Sequence, residues 1–214
     1  MNILLVDDHP FTTDGYKTVM LKSFAENVTN IAIAASCKAA YDAVAAARDS
    51  FTLAVIDQNL PAYDEKKLRN GTDIALLLRK TMPSCKIIMI TAHTEILVLY
   101  DIFKRVNPEG FVTKSELTPE NLGNAAKAIT GGDTYISTTV SNSITEVWKK
   151  ELMVDDTNRQ ILFFMAKGYK AMELANLVFL SDSSIQKRIA SMKKAFGVID
   201  NSSLVKEAIQ QGFL

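Results

Sequence analysis

Ile3-Leu4-Leu5-Val6-Asp7-Asp8-His9-Pro10 breaks off a wholly apolar run with two carboxylates and a proline. A run that short, apolar at successive rather than alternate positions, reads as a strand buried on both faces. The pattern recurs: Leu53-Ala54-Val55-Ile56 runs into Asp57, Ile87-Ile88-Met89-Ile90 into Thr91, and Gly110-Phe111-Val112 into Thr113-Lys114. Ile31-Ala32-Ile33-Ala34 ends instead on Ala35-Ser36. Helical stretches are expected around these runs, at residues 12–24, 38–47, 72–81, 95–106 and 120–129, with Pro10, Pro83, Pro108 and Pro119 marking boundaries. Strands alternating with helices predict an α/β fold with a doubly wound, five-stranded parallel sheet. The carboxyl ends of parallel strands share one edge, where such sheets bind ligands, so Asp7, Asp8, Asp57, Thr91 and Lys114 are expected in one pocket.

Three carboxylates brought together repel one another, and the ionised cluster is tolerable around a cation. Oxygen-only ligands favour Mg2+ or Ca2+ over softer metals. Asp57, alone after its strand, is the natural nucleophile for a phosphoryl group, because an aspartate forms a covalent phosphate ester. Lys114 would then pair with one phosphate oxygen and the Thr91 hydroxyl would donate to another. Taken singly, each residue also has an ordinary reading: a strand-end cap for Asp7-Asp8, a helix N-cap for Thr91, a surface lysine for Lys114.

Val6-Asp7-Asp8-His9-Pro10, Ile56-Asp57-Gln58-Asn59-Leu60-Pro61, Thr91-Ala92 and Phe111-Val112-Thr113-Lys114 together resemble the receiver domain of two-component response regulators. The resemblance spans residues 1–131. It implies that Asp57 accepts a phosphoryl group from a partner histidine kinase. It also implies that Asp7, Asp8 and Asp57, with the Asn59 backbone carbonyl, hold Mg2+, and that Thr91, Phe111 and Lys114 form a switch. Thr91 would follow the phosphate and Phe111 would fill the vacated space, remodelling the surface around helix 95–106. One departure stands beside the phosphoacceptor: the segment from Ala62 to Asn70 separates Pro61 from Gly71, about five residues more than the family pattern has. A tolerated surface insertion and a role in kinase docking or phosphate lifetime are both open.

The 214 residues are 48% hydrophobic and 22% charged with a net charge of zero, which is the composition of a globular chain of one or two domains. No run approaches the roughly 18 apolar residues of a membrane span, and the start lacks a basic segment followed by an apolar one, so a cytoplasmic protein without membrane attachment is expected. Cys37 and Cys85 read as reduced thiols acting as small hydrophobes. His9 and His93 are too isolated in the sequence for a catalytic triad and read as exposed loop residues.

After Gly131-Gly132-Asp133 the texture changes. In residues 132–151, Ile136, Val140, Ile144, Val147 and Trp148 recur at a spacing near four, which predicts a linker with a short amphipathic helix. From residue 152 on, the periodicity is helical throughout, with helices expected at 158–166, 171–178, 183–196 and 203–211. Gly168, Gly197 and Gly212 follow three of them, and the whole forms a small all-α helix-turn-helix domain over 152–214. Between Asp182 and Asp200 stand Lys187, Arg188, Lys193 and Lys194 and no acid. At about 100° per residue, Ile185, Ile189, Met192 and Phe196 form one apolar stripe. The opposite face carries Ser183, Lys187, Ala190, Ser191 and Lys194, with Gln186 and Arg188 on its flanks.

Arg159-Gln160-Ile161-Leu162, Ala166-Lys167-Gly168, Glu173-Leu174-Ala175, Ser184-Ile185-Gln186 and Phe196-Gly197-Val198 resemble the LuxR-type DNA-binding domain. The resemblance implies that Ser183, Ser184, Gln186, Lys187, Arg188, Ser191 and Lys194 face double-stranded DNA. It further implies that a homodimer formed on phosphorylation reads two half-sites. Arg188 stands where the family usually has histidine, Gln186 where it has a basic residue, and Ala195 where it has lysine. The whole reads as a phosphorylation-controlled transcriptional regulator rather than an enzyme. The alternatives are a phosphorylation-independent regulator, whose receiver is a dimerisation or protein-binding module, and a phosphoaspartate hydrolase. The hydrolase lacks the second carboxylate its chemistry needs, since Asn59 occupies that position.

Overall fold

A computed structural model describes residues 1–25 and 27–214, and the chain divides into two compact units, Met1–Ser143 and Ile144–Leu214. The first is built on six strands: β1 (Asn2–Val6), β2 (Asn30–Ala34), β3 (Leu53–Asp57), β4 (Lys86–Thr91), β5 (Gly110–Thr113) and β6 (Tyr135–Ile136). Between them run α1 (Pro10–Phe24), α2 (Cys37–Ala46), α3 (Gly71–Thr81), α4 (Ile96–Val106) and α5 (Pro119–Thr130). The strand order is β2-β1-β3-β4-β5-β6 and every pairing is parallel.

The sequence pattern explains the layers. Every residue of β3 and β5 is buried, which only a sheet covered on both faces allows. Ile3, Leu5, Val55, Ile88 and Ile90 pack with Tyr16 and Met20 of α1 and Leu122, Ala126 and Ile129 of α5. Helix starts follow local chemistry. Ser36, Asn70 and Thr118 accept N-cap hydrogen bonds from the third residue on, and Pro10 and Pro119 occupy first turns.

Two expectations need correction. The sheet has six strands rather than five, because Tyr135–Ile136 adds a parallel pair to β5, with the Tyr135 N–H donating to the Glu109 carbonyl at 2.9 Å. Two residues are too few for a periodic signal, so pairing with an existing edge creates this strand. Residues 132–151, expected to be a linker with a short helix, hold that strand and most of α6 (Thr138–Val154), a helix of 17 residues.

In the second unit, α7 (Asp156–Ala166), α8 (Ala171–Val178), α9 (Asp182–Phe196) and α10 (Asn201–Gln210) pack around one core. Ile161, Leu162, Leu174, Ile185, Ile189, Met192, Phe196 and Leu204 fill it. The stripe expected on α9 is the stripe that is buried. Among the described residues no helix is long and apolar enough to cross a membrane.

Candidate functional site

β1 lies between β2 and β3, so the connections leaving its end and that of β3 turn to opposite sides and open a crevice at the carboxyl edge. Register places the side chains there. Asp57 ends β3 opposite Ile90, Thr91 follows on β4, and Thr91 pairs with Thr113, the residue before Lys114. Asp7 and Asp8 leave the end of β1, whose last residue, Val6, pairs with Ile56. The expected pocket is therefore assembled by backbone pairing alone.

Its charges are unequally solvated. Asp7 and Asp57 are each 1% exposed, whereas Asp8 is exposed. Lys114 Nζ bridges the two buried carboxylates, 3.0 Å from Asp57 Oδ2 and 3.4 Å from Asp7 Oδ2. Beyond this ammonium, neither Asp57 carboxylate oxygen meets a hydrogen-bond donor among the described residues. Burial pushes the Asp57 carboxyl above its ordinary range. Lys114 pulls against this, and the nearby charges of Asp7 and Asp8 add to the rise. Burial disfavours the Lys114 charge, but Asp57 and Asp7 outweigh it and hold the ammonium above its usual value. Unsatisfied buried oxygens beside further carboxylates match the donor set of a hard divalent cation.

Thr91 is fully buried, and its Oγ1 accepts from the His93 N–H at 3.0 Å. Phe111 is fully buried on β5. Asn59 is exposed at the mouth of the β3–α3 loop. That loop is ordered rather than loose. The Tyr63 N–H donates to the Leu68 carbonyl at 2.7 Å, and the Tyr63 ring meets Tyr41 of α2 edge-on at 5.8 Å. Lys38 lies over Tyr63 and Lys66 over Tyr41. Gly71 closes the loop where a Cβ would run into the Asp57 carbonyl oxygen.

Two residues at the pocket escape a sequence reading. His9 has an exposed side chain, yet its Nδ1 lies 2.8 Å from Asp8 Oδ1 and 3.1 Å from Asp7 Oδ1. Asp7, Asp8 and His9 each offer a ligand atom within 4.8 Å of the others. Tyr16 buries its hydroxyl beside the acidic cluster, with no well-aligned hydrogen-bond partner among the described residues. Burial, reinforced by Asp7 and Asp57, pushes its phenol well above the ordinary value. Adjacency to Asp7-Asp8 was the available signal for His9; Tyr16 had none.

On α9, Ser183, Gln186, Lys187, Ala190 and Lys194 are exposed, and Ser184, Arg188 and Ser191 are half-buried. Ser181 caps the helix by accepting from the Ser184 N–H at 3.3 Å, and its Oγ lies 3.1 Å and 2.9 Å from the hydroxyls of Ser183 and Ser184. Lys187 forms no ion pair among the described residues, while Lys194 lies over the Trp148 ring at 5.8 Å. Arg188 is occupied elsewhere. Its Nη1 donates to Asn158 Oδ1 at 2.8 Å and pairs with Asp155 Oδ1 at 3.1 Å. Asp155 is the N-cap of α7, and Asn158 Nδ2 donates to the Leu152 carbonyl at 2.9 Å. Arg188 thus braces α9 to the start of α7.

A family model described as the response regulator receiver domain matches residues 3–127. The chain belongs to the response regulator receiver family. It is 24% identical over 217 residues to the transcriptional regulatory protein MctR of Rhizobium johnstonii, covering 100% of this chain and 95% of the relative. It is 22% identical over 220 residues to the response regulator UvrY of Escherichia coli, covering 99% and 95%. Among solved structures, the Salmonella typhimurium RcsB response regulator matches with a TM-score of 0.58 at 20% identity, covering 98% of each chain. A structure of two RcsB dimers bound to two parallel DNAs matches with a TM-score of 0.57 at 20% identity and the same coverage. These likenesses to RcsB show a shared fold.

Proposed function

We propose that the chain is a transcriptional regulator controlled by phosphorylation, with Asp57 the phosphoacceptor and a histidine kinase its donor partner. The reading rests on the pocket: a buried carboxylate whose one close cationic partner among the described residues is an ammonium 3.0 Å away, with further carboxylates at the same sheet edge. A carboxylate oxygen of Asp57 attacks the donor's phosphorus, forming an O–P bond as the N–P bond to the kinase histidine breaks and the imidazole leaves with that electron pair. Lys114 neutralises charge accumulating beside it, and Thr91 supplies a hydroxyl at the neighbouring strand end. Asp7, Asp8 and Asp57, with the Asn59 carbonyl, would hold Mg2+, which would supply positive charge to offset the negative charge of the transferred phosphoryl group. Thr91, Lys114 and Phe111 relay the change, and the cytoplasm is the compartment where kinase and DNA meet.

The second unit supplies the output. The exposed polar and basic face of α9, with Ser183, Ser184, Gln186, Lys187, Ser191 and Lys194, would enter the major groove of double-stranded DNA, and a homodimer would place two such helices on two half-sites. The covering match to RcsB, which has been seen as dimers on DNA, supports that arrangement. Residues 1–131 would act as the receiver and 152–214 as the DNA-binding domain. Intact-protein mass after incubation with acetyl phosphate and Mg2+ tests the first half, with one added phosphate expected. Sizing and operator binding of the labelled protein test the second. A chain that takes no phosphate yet dimerises and binds DNA would make the receiver a phosphorylation-independent dimerisation module.

A further inference from the structure

The start of α6 is capped from outside the helix. Ser137, the residue before it, turns its hydroxyl to the Thr113 N–H at 3.4 Å, and its own N–H donates to the Phe111 carbonyl at 2.9 Å. The Thr139 N–H, in the first turn, donates instead to Glu116, at 3.2 Å to Oε1 and 3.3 Å to Oε2. Glu116 lies 23 residues back, in the single 3₁₀ turn Lys114–Glu116 that follows β5. Thr113 Oγ1 donates to its Oε2 at 2.7 Å, and Asn121 Nδ2 donates to its carbonyl at 3.0 Å. An anion at a helix N-terminus satisfies a free N–H and opposes the positive end of the helix dipole, so Glu116 does for α6 what Ser137 does not.

The cap is wired to the pocket on both sides. Glu116 is held by Thr113, which pairs in register with Thr91, and it shares its short turn with Lys114, whose ammonium bridges Asp57 and Asp7. Accepting the proposal that Asp57 is phosphorylated, we infer that Glu116 is a positioning residue that couples the state of Asp57 to the first turn of α6. A phosphoryl group on Asp57 draws Lys114 and Thr91 toward new oxygens, and a turn of three residues cannot move at one end alone. The Thr139 bonds lie at or just beyond the long end of the usual ~2.7–3.2 Å range, so a shift of a few tenths of an ångström breaks them. α6 is the element that carries the chain from the first unit to the second, so its first turn is where the signal leaves the receiver.

Amide hydrogen exchange over residues 138–143 of the full chain, with and without acetyl phosphate and Mg2+, tests this. In the wild type, labelling should speed exchange there by about fivefold, the factor set by losing one helix cap. Glu116→Ala should exchange at the fast rate in both states while still gaining one phosphate in mass at the wild-type rate. Glu116→Gln, which keeps an acceptor, should restore part of the phosphate-dependent difference. Unchanged exchange in the labelled wild type, or a full phosphate-dependent change in Glu116→Ala, would overturn the coupling. Absence of the added mass in the wild type would instead sink the phosphoacceptor reading.

Discussion

The pocket of the first unit and the outer face of α9 in the second both present charge, but they hold it in opposite ways. Asp7 and Asp57 are buried and share one ammonium, whereas Lys187 and Lys194 stand exposed on a helix whose apolar stripe is the buried part. A buried charge is coupled to every neighbour that compensates it, and removing one partner leaves the other uncompensated. An exposed cation contributes little to the fold and remains free to meet an anion. Arg188 is the exception that joins the two regimes, since it lies on the helix proposed to read DNA but is paired as a pocket residue would be.

Four substitutions test this contrast. Asp57→Asn should abolish the added phosphate entirely in intact-mass measurements, because the nucleophilic carboxylate is gone. The same variant should melt higher than the wild type without Mg2+, and the sign follows from the raised pKa. Both folded and unfolded Asp57 are protonated below the ordinary carboxylate range, so the variant gains nothing there. As pH rises from that range, the unfolded carboxyl ionises freely while burial holds the folded one protonated, so the wild type loses stability and the gain of the variant grows until both forms are ionised. An equal gain at all pH values would mean that burial of the charge is not the cause.

Ile185→Ala empties part of the second unit's core and should cost about 2–5 kcal/mol in chemical denaturation, with DNA binding lost in parallel. Arg188→Ala should cost about 1–3 kcal/mol by leaving the buried Asn158 Oδ1 without its donor and Asp155 without its cation, and should weaken binding evenly across DNA sequences. If it melts as the wild type and relaxes sequence discrimination instead, Arg188 reads bases and the bracing role falls. Lys187→Ala should leave melting unchanged and flatten the dependence of log affinity on log salt by up to ~1. Wild-type affinity at every salt concentration would remove this face from the DNA interface.

Much of this was legible in the residues because it depends on short-range pattern. Apolar runs of strand length ending in Asp57, Thr91 and Lys114 announce a parallel sheet, since a strand covered on both faces must be apolar throughout and its polar residues can emerge only at its ends. The stripe Ile185, Ile189, Met192, Phe196 announces which face of α9 is buried, because helical geometry leaves no other arrangement. What depended on residues far apart in the chain was decided by the fold. Tyr135–Ile136 becomes a strand only because β5 has a free edge beside it, and Arg188 is withdrawn from the helix face only because α7 brings Asp155 and Asn158 within reach. Tyr16 buries its hydroxyl near the pocket, and Glu116 meets Thr139 across 23 residues, with no periodicity to mark either. A single side chain's hydrogen-bonding partner is set by where the backbone brings distant segments together, and no local pattern of polarity encodes that distance.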